Sequence, residues 1–349
     1  MDISEIGVDL SKTIFVLHGI NERGGKEYRK KLSRERFFEE MSLFPPKGTV
    51  YMEACGGAHY VCWELEKRGV KARQIDTKAV KKYASHQKND YRDAEAIAIA
   101  GSRESTNYVP TKSREQVDLQ VQLRIRERLV KNQTALTNEI RGFLLEQGVV
   151  VEKSKKALQD YLSDYYYREE RFSASFRQSM DSLIEELKIL RSQLVKQDKR
   201  LAEYVKQSEV MKSLKSVPGI GPITALCLVA AYGDGQHFKN GRHMAAATGL
   251  VPRQFSTGGV TRLGKITKRG NQYLRTLLVH GGRALLRSVL LRKSQDKHSR
   301  WVLKLYETKG YNKTAVAIAN KNARIAYRIL RNPELRFCGE SAHQEITAH

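Results

Sequence analysis

The sequence predicts an α/β layer followed by a mostly helical region, an α/β plus α chain. Two observations carry this. Residues 3–109 hold short β-branched and apolar runs, first as a hairpin and then alternating with helical stretches. From residue 113 onward, apolar residues recur at helical and heptad spacing over long runs.

Residues 3–19 alternate apolar and polar about Ser11-Lys12, which reads as a hairpin. Pro45-Pro46-Lys47-Gly48 is a loop before a strand ending at Glu53. Residues 59–68 read as a helix stopped by Gly69, and 70–75 as a further strand. An Ala- and Ile-rich helix starts at Asp90 and ends near Gly101, and Tyr108-Val109-Pro110 closes the sheet.

Residues 113–148 read as one helix anchored by Leu119, Leu123, Leu129, Leu136 and Ile140. Met180, Leu183, Leu187, Leu190, Leu194 and Leu201 keep a heptad rhythm interrupted by Gln197, either packing within the chain or pairing between chains. Val217-Pro218-Gly219-Ile220-Gly221-Pro222 between apolar helices resembles a helix-hairpin-helix turn. Its glycines, Gly219 and Gly221, would let a phosphate approach; the plainer reading is a corner between helices. The expected domains are 1–150 (α/β), 151–208 (helical or coiled-coil connector), 209–332 (helical C-terminal domain) and 333–349 (tail).

The 349 residues carry a formal net charge of +24. That favours a polyanionic partner, nucleic acid before an anionic membrane. The N-terminus lacks the apolar core of a signal peptide, and the run from Ile223 to Tyr232 is too short to span a bilayer. Cys55, Cys62, Cys227 and Cys338 show no disulfide framework, which points to a reducing cytoplasm. Cys55, His59 and Cys62 lie close enough to weigh a zinc site. With no second ligand pair, buried thiols on a core helix are the better reading.

Four acids are candidates for a hard-cation site. Asp9 and Glu53 sit on expected strands, and Asp90 and Asp93 share one face of a helix at i and i+3. Each alone reads equally as a cap, turn or solvated residue. Arg124, Arg126 and Arg128 on the long helix read as a phosphate-binding rail or as a solvated face.

Residues 235–295 hold no Asp or Glu, where the chain's average would place about six or seven, yet hold twelve Lys or Arg. Arg253, Arg262, Lys265, Lys268, Arg269 and Arg275 are among them, as expected of a surface facing phosphates. Within this stretch Ser256 and Thr257 precede Gly258-Gly259. Flexible backbone there would let a hydroxyl meet phosphorus, although an ordinary polar loop has the same composition.

Taken together, Ile6-Gly7-Val8-Asp9, Met52-Glu53-Ala54-Cys55, Asn89-Asp90-Tyr91-Arg92-Asp93-Ala94, Val217 to Pro222, Gly249-Leu250-Val251-Pro252-Arg253-Gln254, residues 262–271 and the tail from Asn312 to Ala326 resemble the insertion-sequence 110 family of transposases. The 1111 branch is the most similar. The resemblance implies an N-terminal RuvC-like (RNase H-type) domain whose Asp9, Glu53, Asp90 and Asp93 bind Mg²⁺. It also implies a C-terminal transposase domain with a nucleophilic serine, homo-oligomers (dimer or tetramer), donor and target DNA, and a structured non-coding guide RNA. This chain departs from its relatives in carrying Thr257 where they have serine, with Ser256 one residue earlier. The expected function is Mg²⁺-dependent DNA strand exchange through a Ser/Thr–DNA ester. The alternatives are a Holliday-junction-type nuclease, a DNA invertase, or a non-catalytic nucleic-acid-binding protein.

Overall fold

The computed structural model describes residues 3–21, 28–45, 48–84, 89–292, 296–337 and 346–348. Pro46, Lys47 and Cys338, named above, lie outside the described residues. The chain forms two compact units, Met1–Ser113 and Arg114–His349.

The first unit is a mixed sheet with helices. β1 (Ile3–Leu10) and β2 (Ile14–Asn21) form the expected hairpin, followed by β3 (Tyr28–Ser33) and α1 (Arg34–Ser42). Next come β4 (Thr49–Glu53), α2 (Ala58–Glu66), β5 (Lys71–Ile75), α3 (Thr77–Val80), α4 (Asp90–Ser102) and the short β6 (Tyr108–Val109). The strand order is β3-β2-β1-β4-β5-β6. β1, β4 and β5 run parallel, while β2, β3 and β6 join antiparallel.

The two faces bury different residues. Ile6, Val8, Phe15, Leu17, Val50 and Met52 pack on one face with Phe37, Met41, Val61 and Leu65 of α1 and α2. Fully burying one such side chain stabilises by about 1.5–3 kcal/mol. Tyr51 and Ile75 face the other way, against Ala96, Ile97 and Ala100 of α4. Cys62 is buried as expected, but Cys55 is exposed, because it precedes α2 rather than riding on it.

The second unit is almost wholly helical. α5 (Arg114–Glu146) leads to α6 (Lys155–Asp160), a π turn and a 3₁₀ turn, then α7 (Ala174–Gln207). α7 packs on α5 through Leu129, Leu136, Ile140, Met180, Ile184, Leu187 and Leu190, so the heptad stripe is used within the chain. The interrupting Gln197 is buried, and its Nε2 donates to the Gln122 carbonyl at 3.0 Å and to Gln122 Oε1 at 2.8 Å. A buried amide of this kind fixes helix register.

α8 (Glu209–Lys215), α9 (Pro222–Tyr232) and α10 (Gly241–Ala247) follow, then the hairpin β7 (Pro252–Thr257) and β8 (Val260–Ile266). α11 (Gln272–Arg292) and α12 (Lys297–Arg331) complete the helices, α12 breaking at Gly310. β9 (Leu335–Phe337) pairs with β10 (Ile346–Ala348). Among the described residues, no helix is long and apolar enough to cross a membrane.

Candidate active site and nucleic-acid interface

Strand register places the first two acids. Val8 pairs with Met52, so Asp9 and Glu53 are the next neighbours on the parallel β1–β4 pair. Asp9 pairs with Val16, and Val16 with Lys31. Residues directly opposite share a face, so one row carries Glu53, Asp9, Val16 and Lys31. The exposed Cys55 thiol senses the pair: burial, then the charges of Glu53 and Asp9, push its pKa up.

Gly7 explains how α4 reaches this row. It stands two residues before Asp9 and faces the same way. A Cβ there would lie 2.3 Å from the Ala94 carbonyl oxygen and 2.4 Å from Ala98 N, so α4 rests directly on the strand. A Cβ at Gly101 would lie 2.2 Å from the Tyr51 ring, whose hydroxyl donates to Glu5 at 2.8 Å. The C-terminal end of α4 therefore lies toward Glu5, and its first turn toward Asp9. Asn89, not Asp90, caps the helix, its side chain accepting from Tyr91 N at 3.0 Å. Asp90 and Asp93 are thereby left as first-turn carboxylates, where the helix dipole favours them.

Lys31 Nζ lies 3.9 Å from Asp90 Oδ2, tying the start of α4 to the Asp9 row. Lys31 was not singled out in the sequence; only the register reveals it. Asp9 and Glu53 thus stand side by side with Asp90 on the same sheet face. The structure does not close the four acids around one point: among the described residues, no three of His, Cys, Asp and Glu are close enough to hold a metal ion. Hard oxygen donors on neighbouring strands nonetheless suit a divalent cation in kind.

Among the described residues, Cys55, His59 and Cys62 are not brought together as a group that could hold a metal ion. His59 Nδ1 accepts from Gln74 Nε2 at 2.9 Å and from Lys112 N at 3.3 Å, and burial lowers its pKa.

In the second unit the Ser/Thr/Gly stretch is a hairpin rather than a loose loop. Thr257 pairs with Val260 across Gly258 (φ +56) and Gly259 (φ +79), a two-residue turn of the kind such strands favour. Ser256 and Thr257, adjacent on β7, point to opposite faces. Ser256 Oγ accepts from Gln254 Nε2 at 2.8 Å and lies 3.4 Å from Thr261 Oγ1. Both strands are exposed, and Phe255, Val260 and Leu263 are more than 60% accessible. Thr267 N donates to the Val251 carbonyl at 2.8 Å and Lys268 N to that of Gly249 at 3.2 Å, closing the base of the hairpin.

The basic candidates divide. Arg253, Arg262, Lys265, Lys268 and Arg269 are exposed on or beside the hairpin, and Arg128 is exposed on α5, where its neighbour Arg124 pairs with Glu127 at 2.8 Å. Arg126 is engaged within the fold: its Nε donates to Asp198 of α7 at 2.6 Å. Arg275 is likewise committed, its Nη1 donating to the Thr248 and Arg269 carbonyls at 3.1 Å each. Gly219 also has a packing role. A Cβ at Gly281 of α11 would lie 1.8 Å from the Gly219 oxygen, and Asn322 Nδ2 donates to the Pro218 carbonyl at 2.8 Å. The turn is seated on α11 and α12, so only Gly221, exposed at the start of α9, stays open.

Comparison with known proteins decides the family. Residues 211–300 match the model described as "Transposase IS116/IS110/IS902 family", and residues 6–148 match that of the DEDD transposases of IS110 type. The "Transposase for insertion sequence element IS1111A" of Coxiella burnetii is 39% identical over 345 residues, covering 97% of this chain and 92% of that protein. The chain belongs to the IS110 family of transposases. As a transposase it is a DNA-processing enzyme. The "Probable family 20 transposase" of Pseudomonas aeruginosa is 41% identical over 332 residues, 95% of this transposase and 97% of its relative. The "Pilin gene-inverting protein" of Moraxella bovis is 30% identical over 121 residues, 34% of this chain and 36% of that protein.

Proposed function

We propose that this transposase cuts and exchanges DNA strands with two sets of groups, the acids of the first unit and the hydroxyls of the hairpin. The observation that carries the reading is the neighbouring placement of Asp9 and Glu53, with the first turn of α4 over the same face. Asp9, Glu53, Asp90 and Asp93 would hold Mg²⁺, which when bound supplies positive charge beside the scissile phosphate. Ser256 or Thr257 oxygen attacks phosphorus. The P–O bond to the leaving strand breaks, and the hydroxyl proton ends on that strand's oxygen. A protein–DNA ester remains, and the reverse attack by a new strand's hydroxyl reseals the backbone without external energy. Arg253, Arg262, Lys265, Lys268 and Arg269 hold the phosphates and offset their charge. A structured non-coding RNA as guide, a homo-oligomeric assembly and a cytoplasmic setting complete the proposal, resting on the family resemblance.

Two measurements test it. Asp90→Asn should abolish strand cleavage and leave DNA binding intact, since removing an anion does not weaken attraction to phosphate; cleavage at the wild-type rate would remove the acid site. Denatured reaction mixtures should contain protein joined covalently to DNA, and the adduct should vanish in the Ser256→Ala/Thr257→Ala double variant. Cleavage without an adduct would instead make this a metal-dependent nuclease of the junction-resolving kind. The partial identity to the pilin gene-inverting protein favours inversion as a second outcome of the same chemistry. Inverted rather than inserted product on a two-site substrate would establish it.

A further inference from the structure

A large cavity in the second unit uses none of the acids or hydroxyls above. It encloses about 1160 Å³ between α10, α12 and the base of the hairpin at Pro252 and Ile266. Six cations line it: Arg242, Lys297, Lys313, Lys321, Arg324 and Arg328. No Asp or Glu is among its lining residues. Lys313, Lys321, Arg324 and Arg328 fall at helical spacing on the stretch of α12 after Gly310, forming one stripe about 22 Å long at 1.5 Å per residue. A stacked strand presents a phosphate about every 3.4 Å, so the stripe is long enough to meet several. Trp301 also lines the cavity, with Lys321 Nζ 4.2 Å from its ring centre. Cations running beside an aromatic ring are what holds an unpaired strand, by backbone charge and base stacking. About 1160 Å³ spread along that stripe leaves a cross-section of roughly 50 Å², too narrow for a duplex, whose major groove alone is about 12 Å wide.

We infer that this cleft holds an unpaired DNA strand and leads it to the base of the β7–β8 hairpin. The choice of DNA rests on membership of a transposase family and on the hairpin forming one wall. It does not depend on the assignment of acids or nucleophile, because the test reads binding alone.

The test is titration of full-length protein with a 12-nucleotide oligo-dT, the matching oligo-U and a 12-base-pair duplex over a range of salt. The Lys321→Ala/Arg324→Ala/Arg328→Ala variant should bind oligo-dT at least tenfold more weakly. Its salt slope should flatten by about 2, three contacts at about 0.7 each for a single strand. Removing the same charge from α7, as Lys196→Ala/Lys199→Ala/Arg200→Ala, should change binding less than threefold. Trp301 fluorescence, read in a Trp63→Phe background, should be quenched by oligo-dT. Equal losses in the two triple variants, or a loss for duplex or oligo-U as large as for oligo-dT, would overturn the proposal. Should the triple alanine variant not fold, the single Arg324→Gln and Arg328→Gln variants carry the same comparison, with a slope change of about 0.7 each.

Discussion

The two units hold the groups proposed to react in opposite ways. In the first, Asp9 and Glu53 are fixed by strand register, and the helix bearing Asp90 and Asp93 lies on the strand with no room for a methyl group at Gly7. In the second, Ser256 and Thr257 sit near the tip of an exposed ribbon whose base is closed by backbone hydrogen bonds. Oxygen donors for a cation must be positioned within fractions of an ångström, which a packed layer provides. A nucleophile that must reach a polymer gains from standing clear of the surface. The contrast teaches that the proposed acid site is tied to folding, while the proposed hydroxyl site is nearly independent of it.

The largest effect expected from this contrast is on rate. Asp9→Asn and Glu53→Gln should each lower strand cleavage at least about 1000-fold, roughly 4 kcal/mol of barrier, with unchanged DNA affinity in a gel-shift assay. A loss of less than tenfold would mean that the hydroxyl side works without the acids. Next is Gly7→Ala, whose new Cβ meets the α4 backbone. It should destabilise the first unit by about 3 kcal/mol, as for overpacked cores, read from urea unfolding. Gln197→Ala should cost about 1–2 kcal/mol by leaving Gln122 acceptors without their buried donor. Unchanged stability there would mean that the amide only fills space.

A smaller effect is set by pH. His59 accepts two hydrogen bonds on Nδ1, and its folded pKa lies below the ordinary 6.5. The unfolded chain therefore binds the proton more readily. The contribution of His59 is complete above pH 6.5 and is lost as pH falls from there through the folded value. The Tm of the first unit should drop between pH 6.5 and 5, and less so in His59→Gln. The smallest effect is on the ribbon: Ser256→Ala and Thr257→Ala should change unfolding free energy by less than about 0.5 kcal/mol. A larger loss would show that the hairpin tip is part of the fold.

How much of this was legible in the sequence depended on whether burial follows a period. β1, β2, β4, β5, α2, α4 and α5 were readable because one face of each is apolar. β3 was not, since Arg29, Lys30 and Lys31 mask its alternation, as suits an edge strand that must resist pairing with another chain. α1 went unread because Phe37 and Met41 are its only buried side chains. The β7–β8 ribbon carried no alternation of burial at all. The acids were legible as residue types, but their adjacency is a matter of register, which no local pattern encodes. Gly219, Arg126 and Arg275 were given to nucleic acid because their partners, Gly281, Asp198 and the Thr248 carbonyl, lie far off along the chain. The cleft cations were overlooked for the same reason, being spread from Arg242 to Arg328.

The stem that Arg275 braces has a consequence for how this protein changes over generations. Folding inspects the base of the ribbon and ignores its end. A substitution at Ser256 or Thr257 can therefore arise with little cost to the native state, and on the proposed chemistry only the success of the reaction would select against it. The same tolerance makes the ribbon's end the place to exchange one side chain for another and keep the rest of the molecule as it is.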